Sequence, residues 1–399
     1  MNLHNTIFML FLLFYLFGGC IFTGSDYNVV IASQLSKLDN QFKVVKAWHC
    51  SVGQGSNNFY SNLQLAWQDT YIFAADRNGL VKALDINTGK EIWSLDLSIH
   101  TNSFWKRHPA KLAGGITVAR HHVYIGSELA KVYALHVHDG SISWMTTVAG
   151  EAVSKPVVSD DGVVLIHTGN GMLQALNESD GRLQWTVNLN ISPLKLYGES
   201  SPAIAFGAAI VGGSDGNVSA ISMDQGQLIW KQKISKQNAD DNEIAQLHDV
   251  KITPVIINEI VYAIAYNGNL VALDLRSGQI IWSRNIGSIN NLLVNHGYIY
   301  LINQDNQVIA VDIQNGDVIW RQNALQHHNL ISPVLYNNYI VTGDSKGYLH
   351  WLSTDDGRIL AHKKVDNSGI LNSPIIARNK LIVQTRNGKV YAFIYHEST

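Results

Sequence analysis

Residues Tyr71 to Leu97 read YIFAADRNGLVKALDINTGKEIWSLDL, and this stretch contains every part of a repeat that runs down the chain. An apolar run is followed by a turn, a second run, and a Gly with Trp four residues later. The pair recurs with its glycines 38 to 52 residues apart, as Gly89/Trp93, Gly140/Trp144, Gly181/Trp185, Gly226/Trp230, Gly278/Trp282 and Gly316/Trp320. A period of about 40 to 50 residues with short strands is typical of a β-propeller blade.

Proline marks where the innermost strand of a blade is expected to begin. It lacks a ladder donor, so the first position of a strand is one of the few that accept it. Five apolar runs open in this way, at Lys155-Pro156, Ser201-Pro202, Thr253-Pro254, Ser332-Pro333 and Ser373-Pro374. With this register, seven complete blades fall between residues 59 and 365.

An incomplete eighth blade follows at residues 370–395, with three strands and no Gly/Trp strand. Near the other end of the chain, Phe42 to Val52 is an extended run that contains Trp48 but has no blade of its own. We expect this run to supply the missing outer strand, because closing the ring removes an open sheet edge. The fold prediction is an all-β, eight-bladed propeller of four-stranded antiparallel blades, closed by an N-terminal strand in the last blade.

The repeated tryptophans are interpreted as packing residues. Blades diverge with increasing radius, and a large side chain on the outermost strand can fill the widening gap. Gly357 departs from the pattern, since Ala361 stands in the Trp position after it.

Bulk composition limits the partners. The 399 residues are 46% apolar and 15% charged, with a formal net charge of -2. A nucleic-acid binder usually carries a basic stripe, and the sequence has none.

The first 22 residues resemble a secretory signal with a lipidation site. Ile7 to Phe17 is an apolar run of 11 residues, too short to span a bilayer as a helix. Gly18-Gly19-Cys20 follows, and small residues directly before a Cys resemble a lipobox, in which the Cys thiol is acylated. Met1 to Thr6 contains no Lys or Arg, and Phe17 stands where Leu is usual, so a plain or uncleaved signal is the alternative.

This interpretation divides the chain into a signal peptide at 1–19, a lipid-anchored linker at 20–41, the propeller at 42–395 and a tail at 396–399. Ile21 follows the Cys, instead of the Asp that retains bacterial lipoproteins at the inner membrane. An outer-membrane anchor facing the periplasm is therefore expected. The only other cysteine, Cys50, would then have no partner within the chain. We expect it to be a small buried strand residue, with a regulatory thiol as the alternative.

Catalytic and metal-binding motifs are missing. The sequence has no G-x-S-x-G, H-E-x-x-H, Walker or G-x-G-x-x-G pattern, so no catalytic residue, metal or cofactor is predicted. Its sixteen histidines are scattered. In the adjacent pairs His121-His122 and His327-His328 the rings of an extended chain point in opposite directions, so neither pair can chelate one ion together. Both pairs are expected in solvent at strand entries.

Two other functions remain open. The repeats resemble those of PQQ-dependent quinoprotein dehydrogenases, but the adjacent cysteines that many of those enzymes carry are missing here. A periplasmic ligand-binding propeller would need a polar, aromatic-lined pocket in its central channel.

Loops that join an outer strand to the next inner strand emerge on one face of a propeller. Three are long, at Ser98 to Pro109, Asn190 to Tyr197 and Ser235 to Asp249. The last two flank blade four and are expected to be neighbours. Leu194 and Leu196 lie in the first of these two, where grouped apolar residues commonly mark a protein interface; alternatively, one leucine packs into the blade. Asp249 adds a carboxylate beside them.

Several phrases resemble the BamB family of outer-membrane protein assembly factors. They include Tyr197-Gly-Glu-Ser-Ser-Pro-Ala203, Ile210-Val-Gly-Gly213, Leu270-Val-Ala-Leu-Asp-Leu-Arg-Ser-Gly-Gln279 and Ala74-Ala-Asp-Arg77, and the resemblance extends from about Phe42 to Phe393. It implies a non-catalytic lipoprotein of the complex that inserts β-barrels into the outer membrane, docked on the periplasmic POTRA domains of BamA. Binding of unfolded outer-membrane proteins, by strand addition to an exposed blade edge, is a second and weaker expectation.

The resemblance also implies which residues dock. The family's segment reads Leu-x-Leu-Arg-Gly-Glu-Ser; Leu194 and Leu196 match it, and Tyr197 stands in the Arg position. A second family contact, Asp-x-Asp, keeps Asp249 but has Lys251 in place of the other Asp. The expected partner-binding residues are Leu194, Leu196, Tyr197 and Asp249, with Asp249 facing a basic group.

Overall fold

The chain folds into eight four-stranded antiparallel sheets, which form a closed, eight-bladed propeller. The structure is a computed structural model, and it describes residues 39–56, 59, 61–100, 107–235 and 247–396. The predicted signal peptide, Cys20 and most of the predicted linker lie outside these residues, so the predictions about them stay predictions.

The first four blades follow one another along the chain. Their strands, from inner to outer, are β2 (Ala66–Gln68), β3 (Tyr71–Ala75), β4 (Leu80–Asp85) and β5 (Glu91–Asp96) in blade one; β8 (Leu112–Ala119), β9 (His122–Ser127), β10 (Lys131–His136) and β11 (Ile142–Thr147) in blade two; β12 (Val157–Val158), β13 (Val163–His167), β14 (Met172–Asn177) and β15 (Leu183–Asn188) in blade three; and β16 (Ala203–Ala205), β17 (Ala208–Gly212), β18 (Asn217–Ser222) and β19 (Leu228–Lys233) in blade four. A two-stranded sheet, β6 (Ile99–His100) with β7 (Arg107–His108), lies in the long connection after blade one.

The remaining blades repeat the pattern, and the last one recruits the first strand of the chain. They are β20 (Val255–Ile257), β21 (Ile260–Ile264), β22 (Leu270–Asp274) and β23 (Ile280–Arg284) in blade five; β24 (Leu293–Asn295), β25 (Tyr298–Ile302), β26 (Val308–Asp312) and β27 (Val318–Gln322) in blade six; β28 (Val334–Tyr336), β29 (Tyr339–Gly343), β30 (Tyr348–Ser353) and β31 (Ile359–Lys364) in blade seven; and β32 (Ile375–Ala377), β33 (Lys380–Gln384), β34 (Lys389–His396) and β1 (Lys43–Ser51) in blade eight.

The predicted strand starts and ring closure are confirmed. Each of the five prolines directly precedes an inner strand: β12, β16, β20, β28 or β32. Strand β1 pairs antiparallel with β34, from Lys43 opposite His396 to Ser51 opposite Lys389.

The core lies between the blades. Among the described residues, eight buried apolar clusters occur, one for each pair of neighbouring blades. The second strand of a blade is therefore covered on both faces, and β17 (Ala208–Gly212) is buried at all of its positions. The sequences of such strands are continuous apolar runs. An outer strand has one solvated face, so buried and exposed side chains tend to alternate along it, as in β5.

The repeated tryptophans join each blade to the next. Trp93 Nε1 donates a hydrogen bond to the carbonyl oxygen of Val137 in blade two at 2.8 Å. Gly140 has φ +72°, and a Cβ on it would overlap the Trp93 ring, so both the turn and the contact require glycine. Equivalent indole-to-carbonyl bonds of 2.8 to 3.2 Å are Trp48–Ile86, Trp144–Glu178, Trp185–Met223, Trp230–Leu275, Trp282–Ile313 and Trp320–Thr354.

The exception at Ala361 follows from the closure. Strands β34 and β1 of blade eight come from opposite ends of the chain, so this blade has no turn with a glycine for an indole to cover. In blade seven the usual cross-strand pair is reversed: Ala361 lies opposite Trp351 on β30, whereas Trp93 of blade one lies opposite Ala83 on β4.

Phe42 fills the space between blades seven and eight. Its ring stacks on Tyr339 at 5.0 Å between centroids and meets Tyr395 edge-on at 5.5 Å. Just before it, Asn40 bonds to both backbone groups of His362 on the outer strand of blade seven, at 3.1 and 2.9 Å. The N-terminal segment thus crosses blade seven before it enters blade eight.

Cys50 lies in β1, as expected, but it is half-buried and not fully enclosed. Burial raises the pKa of its thiol to about 11. Because the thiolate is the reactive form, this environment disfavours the alternative of a regulatory thiol.

Candidate functional site

The two long connections that flank blade four meet, as their positions predicted. The Leu196 amide donates to Oδ1 of Asp249 at 3.0 Å, and the Ser192 amide donates to Oγ of Ser214 at 3.0 Å. These two bonds fix the loop at residues 190–197 onto the end of blade four. The backbone of Asp249 is fixed in turn, because its carbonyl oxygen accepts a hydrogen bond from the Tyr266 amide at 2.9 Å.

Apolar side chains project from this loop into solvent. Leu194 and Tyr197 are each 45% exposed, and Ile191 is 49% exposed. Leu196 is half-buried. Leu196 therefore turns partly toward the blade, while Leu194 faces solvent. The sequence had left open whether both leucines form an interface or one packs into the blade, and the structure combines features of both. Ile191 was missed, because it stands apart in the sequence from the grouped Leu194, Leu196 and Tyr197.

Asp249 differs from what the sequence suggested. Its side chain is only 3% exposed, and Oδ2 accepts no hydrogen bond within the part of the chain that the structure describes. Burial raises the pKa of the carboxyl to about 6. The Asp249 carboxyl lies behind the 190–197 loop. It holds the loop backbone by accepting the hydrogen bond from the Leu196 amide.

Tyr197 reaches from the same loop toward blades one and two. Its hydroxyl hydrogen-bonds to the carboxylate of Glu151, and burial raises the pKa of the phenol, with Glu128 and Glu151 adding to the shift. Beside it, Arg77 of blade one donates through Nε to Glu128 of blade two at 3.1 Å. A tyrosine here therefore connects the loop to acidic groups across neighbouring blades.

Lys251 points into the central channel. It lines a cavity of about 380 Å³ together with Glu199, Lys155 and Arg386. Glu199 is buried and pairs with Lys195 of the 190–197 loop. Lys251 thus belongs to the channel, although the sequence placed it beside the docking residues.

The channel cavity bears on the two alternative functions. Its walls are mostly amides, hydroxyls and the charged groups just named, and Phe59 is the one aromatic among its described lining residues. The described lining residues therefore do not form the aromatic lining that a ligand-binding propeller was expected to need. The half-buried Cys50 lies in an outer strand, and no second cysteine adjoins it in sequence.

Histidine placement corrects one expectation. His327 is exposed, but its neighbour His328 is 1% exposed and does not lie in solvent. Its Nδ1 is 3.1 Å from Oδ2 of Asp344, and Nε2 of His350 is 3.1 Å from the same oxygen. These three side chains are the group among the described residues that could hold a metal ion. The neighbours of His328 thus lie outside its own pair: Asp344 is in the turn after β29, and His350 is on β30.

No helix in the described ranges has the length and apolar character needed to cross a bilayer. A family model described as outer membrane protein assembly factor BamB matches residues 77–322 and 315–396. The outer membrane protein assembly factor BamB of Yersinia pestis is 55% identical over 393 residues, covering 98% of this chain and all of that protein.

Two solved structures share the fold. The crystal structure of BamB from Moraxella catarrhalis has a TM-score of 0.77 at 22% identity, covering 88% of this chain and 100% of that one. A quinohemoprotein alcohol dehydrogenase from Comamonas testosteroni has a TM-score of 0.69 at 15% identity, covering 91% of this chain and 78% of that one. At these identities the likeness concerns architecture alone, whereas the family match and the 55% identical relative concern the whole protein. The chain therefore belongs to the BamB family of outer membrane protein assembly factors.

Proposed function

We propose that this chain is a non-catalytic scaffold subunit of the outer-membrane β-barrel assembly complex, anchored at Cys20 to the outer membrane and facing the periplasm. It docks on the POTRA domains of BamA through the 190–197 loop. The observation that carries this proposal is the exposure of Ile191, Leu194 and Tyr197 on a loop whose backbone is fixed at both ends.

The energy of docking would come mainly from burying these side chains. Complete burial of a leucine contributes about 1.5 to 3 kcal/mol. Leu194 has 45% of its surface still exposed, so covering it contributes roughly 1 kcal/mol. Because the loop is already ordered, little conformational entropy is lost when these side chains are covered, so most of this energy contributes to binding.

Asp249 supports docking from behind the interface. In the conformation described above its carboxylate bonds to the loop, so we assign it to positioning Leu194 and Tyr197. Tyr197 in the Arg position of the family motif replaces a cation with an aromatic ring. The partner surface facing it is therefore expected to be more apolar than one that meets an arginine.

A second role, binding of unfolded barrel proteins, is favoured by the outer strands. Consecutive exposed apolar residues lie on three neighbouring blades, 38 to 57% exposed: Leu228, Ile229, Ile280, Ile281, Val318 and Ile319. Each of these strands forms the outer edge of its sheet. An extended client segment can add to such an edge through backbone hydrogen bonds while its side chains cover the apolar pairs.

The docking proposal is tested with the double variant Leu194→Ala/Leu196→Ala, expressed as the full chain. Co-purification with BamA from membranes should fall to background while circular dichroism stays native. Leu183→Ala is the matched control, since this leucine is 53% exposed on an outer strand of blade three, and it should co-purify normally. Wild-type recovery of BamA with the double variant would place docking elsewhere.

A further inference from the structure

A buried cluster of histidines with one aspartate lies within blade seven, apart from the docking loop. His328 belongs to the connection before β28, Asp344 to the turn after β29, His350 to β30 and His362 to β31. The side chains of Asp344 and His350 are 0% exposed, and that of His328 is 1% exposed. The cluster serves neither the docking loop nor the channel.

The three inner side chains converge on one point. Oδ2 of Asp344 lies 3.1 Å from Nδ1 of His328 and 3.1 Å from Nε2 of His350. All three donor atoms lie within 4.8 Å of one another. Ligands held at about 2.0 to 2.1 Å from a tetrahedral Zn²⁺ are about 3.3 Å apart, close to the two spacings found here.

Outer contacts orient these groups as they do around bound metals. Oδ1 of Asp344 accepts from the amides of Lys346 and Tyr348 at 3.0 and 2.8 Å, which leaves Oδ2 for the cluster. Nδ1 of His350 lies 2.8 Å from Nδ1 of His362, so the ring nitrogen away from the cluster has a partner of its own. Such second contacts fix the tautomer and direction of a ligating imidazole.

Charge also points to a cation. Among the described residues no Lys or Arg forms an ion pair with Asp344, and its titratable neighbours there are His328 and His350. All three side chains are at most 1% exposed. An ionised carboxylate buried in this way is costly, and a bound cation would offset that cost.

We propose that His328, Asp344 and His350 bind a divalent transition-metal ion of the Zn²⁺ type, held within blade seven. Two imidazoles and one carboxylate are a donor set that suits Zn²⁺. Mg²⁺ and Ca²⁺ prefer ligands that are all oxygen, so this set does not suit them. The ion connects the segment before β28 to the β29–β30 turn and to β30. It thereby stabilises the blade next to the ring closure, where Ala361 replaces the usual tryptophan.

The test uses the full-length chain, purified in detergent, freed of metal with a chelator and dialysed. Titration with ZnSO₄ should show one tightly bound ion per chain by calorimetry, retained through dialysis in metal analysis, with a rise in Tm of several degrees. His328→Gln and His350→Gln should each lose the retained ion and most of the Tm shift. His327→Gln is the matched control: this exposed neighbour should keep both.

Co²⁺ provides a readout that does not depend on any variant folding. Bound in place of Zn²⁺ to the wild-type chain, it should give visible absorption bands of a low-coordinate nitrogen and oxygen site, and added Zn²⁺ should abolish them. Failure of the wild type to retain Zn²⁺, or retention unchanged in folded His328→Gln and His350→Gln, would overturn the proposal. The cluster would then be a hydrogen-bonded network in which histidine protons alone face Asp344.

Discussion

The amide nitrogen of Leu196 lies 3.0 Å from Oδ1 of Asp249, across the two connections that flank blade four. This single bond ties the loop that carries the exposed leucine to a carboxyl buried behind it. Oδ2 of the same carboxyl accepts no bond among the described residues. Ionising Asp249 therefore brings a buried charge that is only half satisfied.

A pH-dependent stability difference follows for Asp249→Asn. The pKa of this carboxyl is about 6 in the folded chain and 3.8 in the unfolded one, so the protonated form favours folding. That contribution is complete below about pH 3.8 and is lost as the pH rises through 6. The variant, always neutral and still able to accept from Leu196, should be more stable than wild type by roughly 1 to 3 kcal/mol at pH 7.5. Urea unfolding at pH 7.5 and at pH 4 measures the difference, which should nearly vanish at pH 4; a variant less stable at pH 7.5 would contradict it.

Gly140→Ala tests the contact between blades one and two. Alanine at φ +72° is strained, and its Cβ must displace the ring of Trp93. Gly207 is the matched control, because its φ is +73° but nothing lies within 4 Å of a Cβ there. Both variants should lose about 1 kcal/mol from backbone strain, and Gly140→Ala should lose a further 1 to 3 kcal/mol, roughly, from overpacking. Chemical unfolding followed by tryptophan fluorescence compares the two; equal losses would mean that the indole moves aside at little cost.

Phe42→Ala tests ring closure. The phenylalanine is 5% exposed and packs on Tyr339, Trp351 and Tyr395, in place of the tryptophan contact that the other blades have. Its loss should cost about 3 to 5 kcal/mol and release β1 first. Hydrogen exchange read by mass spectrometry should therefore show faster exchange in residues 43–51 than in β20–β23. Phe206→Ala, at a side chain that is 78% exposed, should leave both stability and exchange unchanged.

Tyr197 variants separate the ring from the hydroxyl in docking. The hydroxyl bonds to Glu151 within this chain, while the ring remains 45% exposed. Tyr197→Phe should therefore bind isolated BamA POTRA domains with nearly unchanged Kd, and Tyr197→Ala should weaken binding about tenfold, the equivalent of roughly 1.4 kcal/mol. Calorimetry gives both values. If phenylalanine binds as poorly as alanine, the hydroxyl must orient the loop or meet the partner itself.

The sequence was sufficient for the architecture because each blade repeats the same local requirements. A proline at the strand start, a glycine in the last turn and a tryptophan four residues later are short-range signals, and their recurrence gave eight blades and the closing role of Phe42 to Val52. Ala361 could be recognised as an exception but not explained. Its reason lies in the side chains that meet between blades seven and eight, where Trp351 on β30 packs edge-on against Phe42.

Burial at the candidate sites depended on contacts that no local pattern reports. Asp249 was expected to face a partner, yet its bonding to Leu196 spans 53 residues. His328 was placed in solvent together with His327, because the pair was expected at a strand entry. One signal was available: the register that pairs Ala361 with Trp351 also pairs His350 with His362. The register does not report that His328 approaches this pair, because that contact depends on how the connection before β28 packs against the blade.

The pairing of β1 with β34 sets an order on folding. Lys43 lies opposite His396, so β1 cannot form its hydrogen bonds until the strand from the other side of the propeller has been synthesised. Until then blade eight lacks its outer strand, and the unpaired edges of β1 and β34 are open to non-native pairing. Closure of the ring is therefore a late step, and a truncation that removes β34 would leave the ring open.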